Sequence, residues 1–266
     1  MIEIKYKFNE QRSTDHCLLM VHGGPGMSSD YFVPALPSIT KRLSVASYDQ
    51  GQIGDHSING LMKELHWVVD DLIQQSKNVT IFGHSFGAAL ALEFYKNFPS
   101  KVRKLILCSW ICDNSFTDFR NRHFRQKDLL DSVIQKTKQI SSDVEPNEYY
   151  RDLCLAWLPL YFPEQSLERG KRALSEIRYN AILRDSIWSE FVSSLNLKPV
   201  VEGIIIPTLS IVGSDDGITL PEYVKQAALL NPKFITHTEI PNSGHFPFID
   251  KSDMFAELVS NFVFSN

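Results

Sequence analysis

Ser85 stands between two glycines in Gly83-His84-Ser85-Phe86-Gly87. The pattern G-x-S-x-G puts a serine on a strained turn between a strand and a helix, and the flanking glycines let the chain bend that tightly. Alone, such a pentapeptide is as easily a plain turn. Its flanks decide more. Asn78-Val79-Thr80-Ile81-Phe82 is a β-branched and aromatic run, and Ala88 to Tyr95 is apolar and helix-forming. Strand, elbow and helix thus occur in the order that presents a serine hydroxyl as a nucleophile.

A serine hydroxyl is a weak nucleophile at neutral pH and needs a histidine base, itself oriented by a carboxylate. Both follow downstream. The strand-like run Ile206 to Gly213 ends in Ser214-Asp215-Asp216-Gly217. Asp216 is the expected acid, since Gly-x-x-Asp is usual in such enzymes; Asp215 is the alternative, and either also suits a turn. After a further strand-like run, Phe234 to Ile240, comes Asn242-Ser243-Gly244-His245-Phe246, where His245 follows a glycine in a loop, as a general base should. Acyl transfer also needs donors for an oxyanion. Phe86 supplies one N–H, and Gly24 of His22-Gly23-Gly24-Pro25-Gly26 the expected second. Pro25 has no N–H to give and stiffens that loop. His22 is expected to brace it, and His84, beside the serine but pointing away, to be buried in a supporting role. His16, His56, His66, His123 and His237 read as surface or packing residues. No cluster has metal-ligand spacing, and no cofactor is expected.

Runs at about 2–8, 17–22, 43–49, 78–83, 102–109, 206–213 and 233–240 read as strands, mostly separated by helical segments from 43 onward. That alternation describes a mainly parallel sheet with helices on both faces. Leu61, Leu65, Val68, Val69, Leu72 and Ile73 give one helix an apolar face for the sheet. The alternation breaks over 113–200, where charged residues mix with Phe116, Phe119, Phe124, Tyr149, Tyr150, Trp157, Tyr161, Phe162 and Trp188. Residues 1–112 and 201–266 are therefore expected to form the core domain, and 113–200 a helical cap over the chemistry.

The chain has 266 residues, 43% hydrophobic and 22% charged, with a formal net charge of −4 and a pI near 6.1. That balance disfavours nucleic acid or an anionic membrane and suits a small molecule or short peptide. Met1 to Phe8 alternates like a strand and lacks the pattern of a signal peptide, so a cytoplasmic location is expected. The cysteines Cys17, Cys108, Cys112 and Cys154 are too scattered for a disulfide framework, and Cys112 is a candidate for the pocket wall.

Three stretches carry a resemblance: His22-Gly-Gly-Pro-Gly-Met-Ser-Ser-Asp-Tyr31, Ser47-Tyr48-Asp49-Gln50 with Gly54 and Ser57, and Gly83-His-Ser-Phe-Gly-Ala-Ala-Leu90. The chain resembles an α/β-hydrolase and, within that superfamily, is similar to the proline iminopeptidase group. The resemblance implies an α/β-hydrolase fold, with the cap inserted after the strand that follows the nucleophile helix, and a serine aminopeptidase for small N-terminal residues. It further implies recognition of a free ammonium by acidic side chains, with Glu190 in Trp188-Ser189-Glu190-Phe191 as the cap glutamate; Trp110 is a second expected substrate-binding residue. Two departures touch the substrate side: Gly217 stands where some members have an acidic residue, and the stretch from Asp49 to Ser57 loses a glycine and gains a residue. A carboxylesterase or lactonase for small esters is the alternative activity, and a ligand-binding protein of the same fold without catalysis is the third reading.

Overall fold

A computed structural model of the chain describes residues 4–10, 15–75, 77–114, 127–141 and 143–265. Phe116, Phe119, His123 and Phe124 lie outside the described residues.

Seven strands form one sheet: β1 (Tyr6–Glu10), β2 (His16–Val21), β3 (Ser44–Tyr48), β4 (Asn78–His84), β5 (Lys104–Cys108), β6 (Thr208–Gly213) and β7 (Ile235–Ile240). Their order is β1-β3-β2-β4-β5-β6-β7, with β1 antiparallel to β3 and every other pairing parallel. The first strand starts later than the run 2–8 predicts. Its register with β3 breaks between Tyr6 and Phe8, an irregularity that an edge strand tolerates. From Cys17 onward β2 is buried, as is β4 after Asn78, so both lie between two layers and read as continuous apolar runs.

The helices α1 (Leu36–Ile39), α2 (Ile58–Gln74) and α3 (Phe86–Asn97) precede β5. Between β5 and β6 lie α4 (Lys127–Lys138), α5 (Pro146–Ala156), α6 (Leu158–Tyr161), α7 (Leu167–Ser175), α8 (Ala181–Glu190) and α9 (Lys198–Glu202). Then come α10 (Pro221–Ala228), α11 (Pro247–Asp250) and α12 (Ser252–Phe264). Helix α2 starts where Ser57 Oγ accepts the Gly60 N–H at 3.1 Å. Ile73, expected on its apolar face, is exposed because one step past Leu72 turns it about 100° off the buried stripe, while Leu61, Leu65, Val68, Val69 and Leu72 are buried as their spacing predicts. With Leu90 of α3 and Val224 of α10 these side chains fill one face of the sheet. Phe32, Ile39, Phe248, Phe255 and Val259 fill the other.

The chain leaves β2 for β3 on one side and returns to β4 on the other. Val21 pairs with Gly83, so the loops after β2 and β4 leave the sheet side by side at this reversal of direction. Such a crevice, at the carboxyl ends of parallel strands, is where an open α/β sheet binds its ligand.

Candidate active site

Ser85 has φ 53° and ψ −119°, outside the comfortable regions for a residue with a side chain. The turn is held by Ser85 N–H donating to Cys108 O at 2.9 Å and Ala88 N–H donating to Ser85 O at 3.0 Å. Its two glycines are fixed by space. A Cβ on Gly83 would lie 2.4 Å from Ala88 Cα, and one on Gly87 2.2 Å from Val21 O. Phe86 opens α3, so its N–H has no acceptor within the helix.

The loops after β6 and β7 bring a carboxylate to a histidine. His245 Nδ1 lies 2.9 and 3.1 Å from the two Asp216 oxygens, with both residues buried. Asp216 Oδ1 also accepts from the N–H groups of Ile218 and Thr219 at 2.8 and 2.9 Å, and Oδ2 from Thr219 Oγ1 at 2.8 Å. These donors leave the carboxylate one orientation. Because Nδ1 faces a carboxylate it carries the proton, and Nε2 is the basic nitrogen. Asp215 is exposed and bonded to Ser214 Oγ, away from this pair. Two carbonyls of α6 hold the loops together: Leu160 O accepts from Gly217 N–H at 3.0 Å and Tyr161 O from His245 N–H at 2.7 Å.

The loop after β2 packs on the elbow. A Cβ at Gly23 would lie 2.4 Å from His84 O, and Gly24 has φ +49°. His22 Nε2 accepts from Gln50 N–H at 3.0 Å, which leaves the proton on Nδ1, 3.2 Å from Gly23 O. In a trans peptide the Gly24 N–H points opposite that carbonyl, so His22 sets its direction. Burial holds the His22 imidazole below its ordinary titration range, as this neutral tautomer requires. From the insertion, Tyr150 Oη lies 3.0 Å from both Gly24 O and Pro25 O, and Asn180 N–H donates to Gly26 O at 2.7 Å.

Ser85, Phe86, Gly24 and His245 line one cavity of about 610 Å³. Its wall is otherwise mostly apolar, with Tyr150, Trp157, Tyr161 and Trp188 from the insertion and Ile111 and Phe246 from the core. No hydrogen bond joins Ser85 Oγ to His245 in this state. Contacts of this kind often close only on a bound substrate.

A model described as the alpha/beta hydrolase family matches residues 18–258. The chain belongs to the alpha/beta hydrolase family. It is 25% identical over 281 residues to a proline iminopeptidase of Saccharolobus solfataricus, covering 98% of this chain and 89% of the relative. To a monoacylglycerol lipase of Rattus norvegicus it is 26% identical over 282 residues, covering 98% and 79%. The structure of an esterase from Exiguobacterium antarcticum superposes with a TM-score of 0.69 at 20% identity, covering 94% of this chain and 92% of that one. The protein is accordingly an enzyme of the hydrolase class.

Within this alpha/beta hydrolase, three expected contacts fall elsewhere. Glu190 is exposed at the end of α8 and does not line the cavity; the α8 residues that do are Arg184, Asp185, Trp188 and Ser189. Glu190 is two residues on from Trp188, about 200° around the helix, and so faces away. Trp110 is fully buried and does not line the cavity, with Nε1 donating to Ser210 Oγ at 2.8 Å. Cys112 is buried with its sulfur 3.6 Å from Tyr223 Oη, and Cys154 lines the cavity instead. Sequence reasoning missed the positions of Tyr31, Tyr150 and Arg184, although Tyr31 closes one of the family-like stretches. Among the described residues no group of His, Cys, Asp and Glu is disposed to hold a metal ion, and no helix is long and apolar enough to cross a membrane.

Proposed function

We propose that this hydrolase acts through a covalent acyl-enzyme on Ser85 and cleaves a small carboxylic ester or amide, with Asp216 and His245 completing the triad and residues 113–200 serving as its cap. The observation that carries the reading is the meeting, in one cavity, of a strained serine and a histidine whose Nδ1 is committed to a buried carboxylate. In the proposed cycle His245 Nε2 takes the Ser85 proton as Oγ bonds to the carbonyl carbon. The oxyanion is held by the N–H groups of Gly24 and Phe86, each donor contributing about 10²- to 10³-fold in rate. Asp216 stabilises the imidazolium, which then protonates the leaving alkoxide or amine. Water, deprotonated by the same nitrogen, releases the acid. The apolar wall fits the hydrocarbon part of an acyl chain and limits water around the intermediate.

A second reading, an aminopeptidase for a small N-terminal residue such as proline, is favoured by Asp185, a carboxylate on the cavity wall, and by the iminopeptidase relatives. Hydrolysis of p-nitrophenyl hexanoate beside proline p-nitroanilide, by wild type and Ser85→Ala, separates the two. The proposal expects ester turnover that vanishes in the variant. Anilide turnover alone selects the aminopeptidase, and failure of both substrates together with failure of a fluorophosphonate to label Ser85 refutes the acyl-enzyme.

A further inference from the structure

Arg184 is the only lysine or arginine on the cavity wall among the described residues. It lies on α8, on the wall that also carries Trp188. Its Cζ stacks 4.5 Å from the centre of the Tyr150 ring, the same tyrosine whose hydroxyl meets the Gly24 and Pro25 carbonyls. The guanidinium is thus one aromatic ring from the loop expected to hold the oxyanion.

Its donors are unevenly used. Nε and Nη2 both lie 2.7 Å from Asp185 Oδ1, whereas Nη1 is buried with no partner among the described residues. A buried N–H of a charged group left unpaired is costly, and native structures keep few of them without a reason such as a missing ligand. The two charges are also placed unequally: the Arg184 side chain is 19% exposed and that of Asp185 67%. Water therefore screens the aspartate far more than the arginine, and the inner wall stays positive although the pair is formally neutral. Among the described residues the rest of the wall there is apolar, with Leu153, Cys154 and Trp157, and offers no further carboxylate to the free nitrogen.

We propose that Arg184 reads a carboxylate on the substrate, so that the preferred substrate class is a dicarboxylic hemiester: a scissile ester, an apolar spacer and a distal anionic carboxylate. This inference rests on the acyl-enzyme reading. The planar guanidinium pairs with a carboxylate through charge-assisted hydrogen bonds that a lysine does not reproduce. Turning of the guanidinium on the Tyr150 face brings Nη1 to the ligand, while the spacer lies against Trp157, Tyr161 and Trp188. An ammonium in the same place would face the less screened cation of the pair, which sets this class against a free N-terminal amine.

The test compares mono-p-nitrophenyl adipate with p-nitrophenyl hexanoate, which share an acyl chain length and differ in the terminal carboxylate. Wild type is expected to favour the adipate about 10- to 100-fold in kcat/KM, chiefly through KM. Arg184→Met should abolish that preference, costing the adipate about 10-fold or more beyond any loss on the hexanoate, and Arg184→Lys should restore part of it. Equal losses on both substrates, or no preference in wild type, overturn the inference. Binding of adipic acid monoamide and of hexanamide to Ser85→Ala, read from Trp157 and Trp188 fluorescence, decides the role of Arg184 without turnover. Tighter binding of the monoamide that disappears with Arg184→Met supports it, even if neither ester is hydrolysed and the acyl-enzyme reading falls. Equal binding, or none, refutes it.

Discussion

Tyr31 Oη stands 3.0 Å from His84 Nδ1, and through this pair three loops of the site share one hydrogen-bonded chain. His84 Nε2 lies 2.8 Å from His245 O, an atom that only accepts, so Nε2 carries the proton and Nδ1 accepts from the tyrosine. The Tyr31 oxygen in turn accepts the Gly23 N–H. Each donor and acceptor has one assignment, and the chain runs from the loop after β2 through the elbow to the loop of His245. Tyr31→Phe removes the middle member and leaves the Gly23 N–H and His84 Nδ1 unpaired where water does not reach. A loss of about 2 kcal/mol or more follows, equivalent to a drop of roughly 4–8 °C in the melting temperature. Calorimetry of the variant checks this; a shift below a degree would mean that the chain does not bear on stability.

The same chain sets a pH dependence. Burial, with the nearby His245 and His22 adding to it, holds His84 well below the ordinary imidazole value of 6.5, and burial lowers His22 in the same sense. Both bind a proton more readily unfolded than folded. Their contribution to stability is therefore complete above about pH 6.5 and is lost as the pH falls below it, by up to about 1.4 kcal/mol per unit for each group. Urea midpoints measured from neutral pH down to about pH 5 should fall progressively, and His84→Asn should flatten the fall relative to its own value at neutral pH. A midpoint that holds constant across that interval contradicts the assignment of neutral, buried rings.

Asp216 and Asp215 are neighbours with opposite expectations. Asp216→Asn keeps the shape but turns an acceptor into an amide beside His245 Nδ1, which disfavours the tautomer with a basic Nε2. A fall in kcat of about 10³- to 10⁴-fold is expected, with little change in KM. Asp215→Asn, on an exposed side chain, should stay within about twofold. Steady-state hydrolysis of the hexanoate ester by both variants distinguishes them, and comparable losses in the two would remove Asp216 from its special place.

Ser85, Asp216 and His245 were legible because each sits just past a strand whose apolar run announces itself, so the sheet gathers them whatever the helices do. Gly24 was legible through its neighbours, since a Gly/Pro cluster at a strand end signals close backbone approach. Tyr31, Tyr150 and Arg184 were not: their partners are loop carbonyls, a histidine and a neighbouring ring brought together by tertiary packing, and no periodicity encodes such a meeting. Glu190 and Trp110 show the complementary failure. Their distances along the chain were suitable, but helix phase turns one outward, and the other is buried in the core, where its indole N–H donates to Ser210.

The insertion also grips the chemistry through backbone, with consequences that a loosely hinged lid would not have. Leu160 O and Tyr161 O, at the end of α6, accept from Gly217 and His245, so moving α6 moves the loops that carry Asp216 and His245. Gly244 is where this contact is closest: a Cβ there would lie 2.2 Å from Tyr161 O, and the backbone atom cannot swing aside as a side chain can. Gly244→Ala must therefore displace either α6 or the residue before His245. Strain of this kind costs about 1–3 kcal/mol, and because misplacing a reacting group by about 1 Å is worth about 10²-fold, kcat should fall by at least that factor. Gly203→Ala serves as the control, since its Cβ would meet only Pro199 O and Val200 O at 3.3 and 3.6 Å. Measured together, loss of activity confined to Gly244→Ala ties α6 to the position of His245, and full activity in that variant would show that α6 yields without disturbing the base.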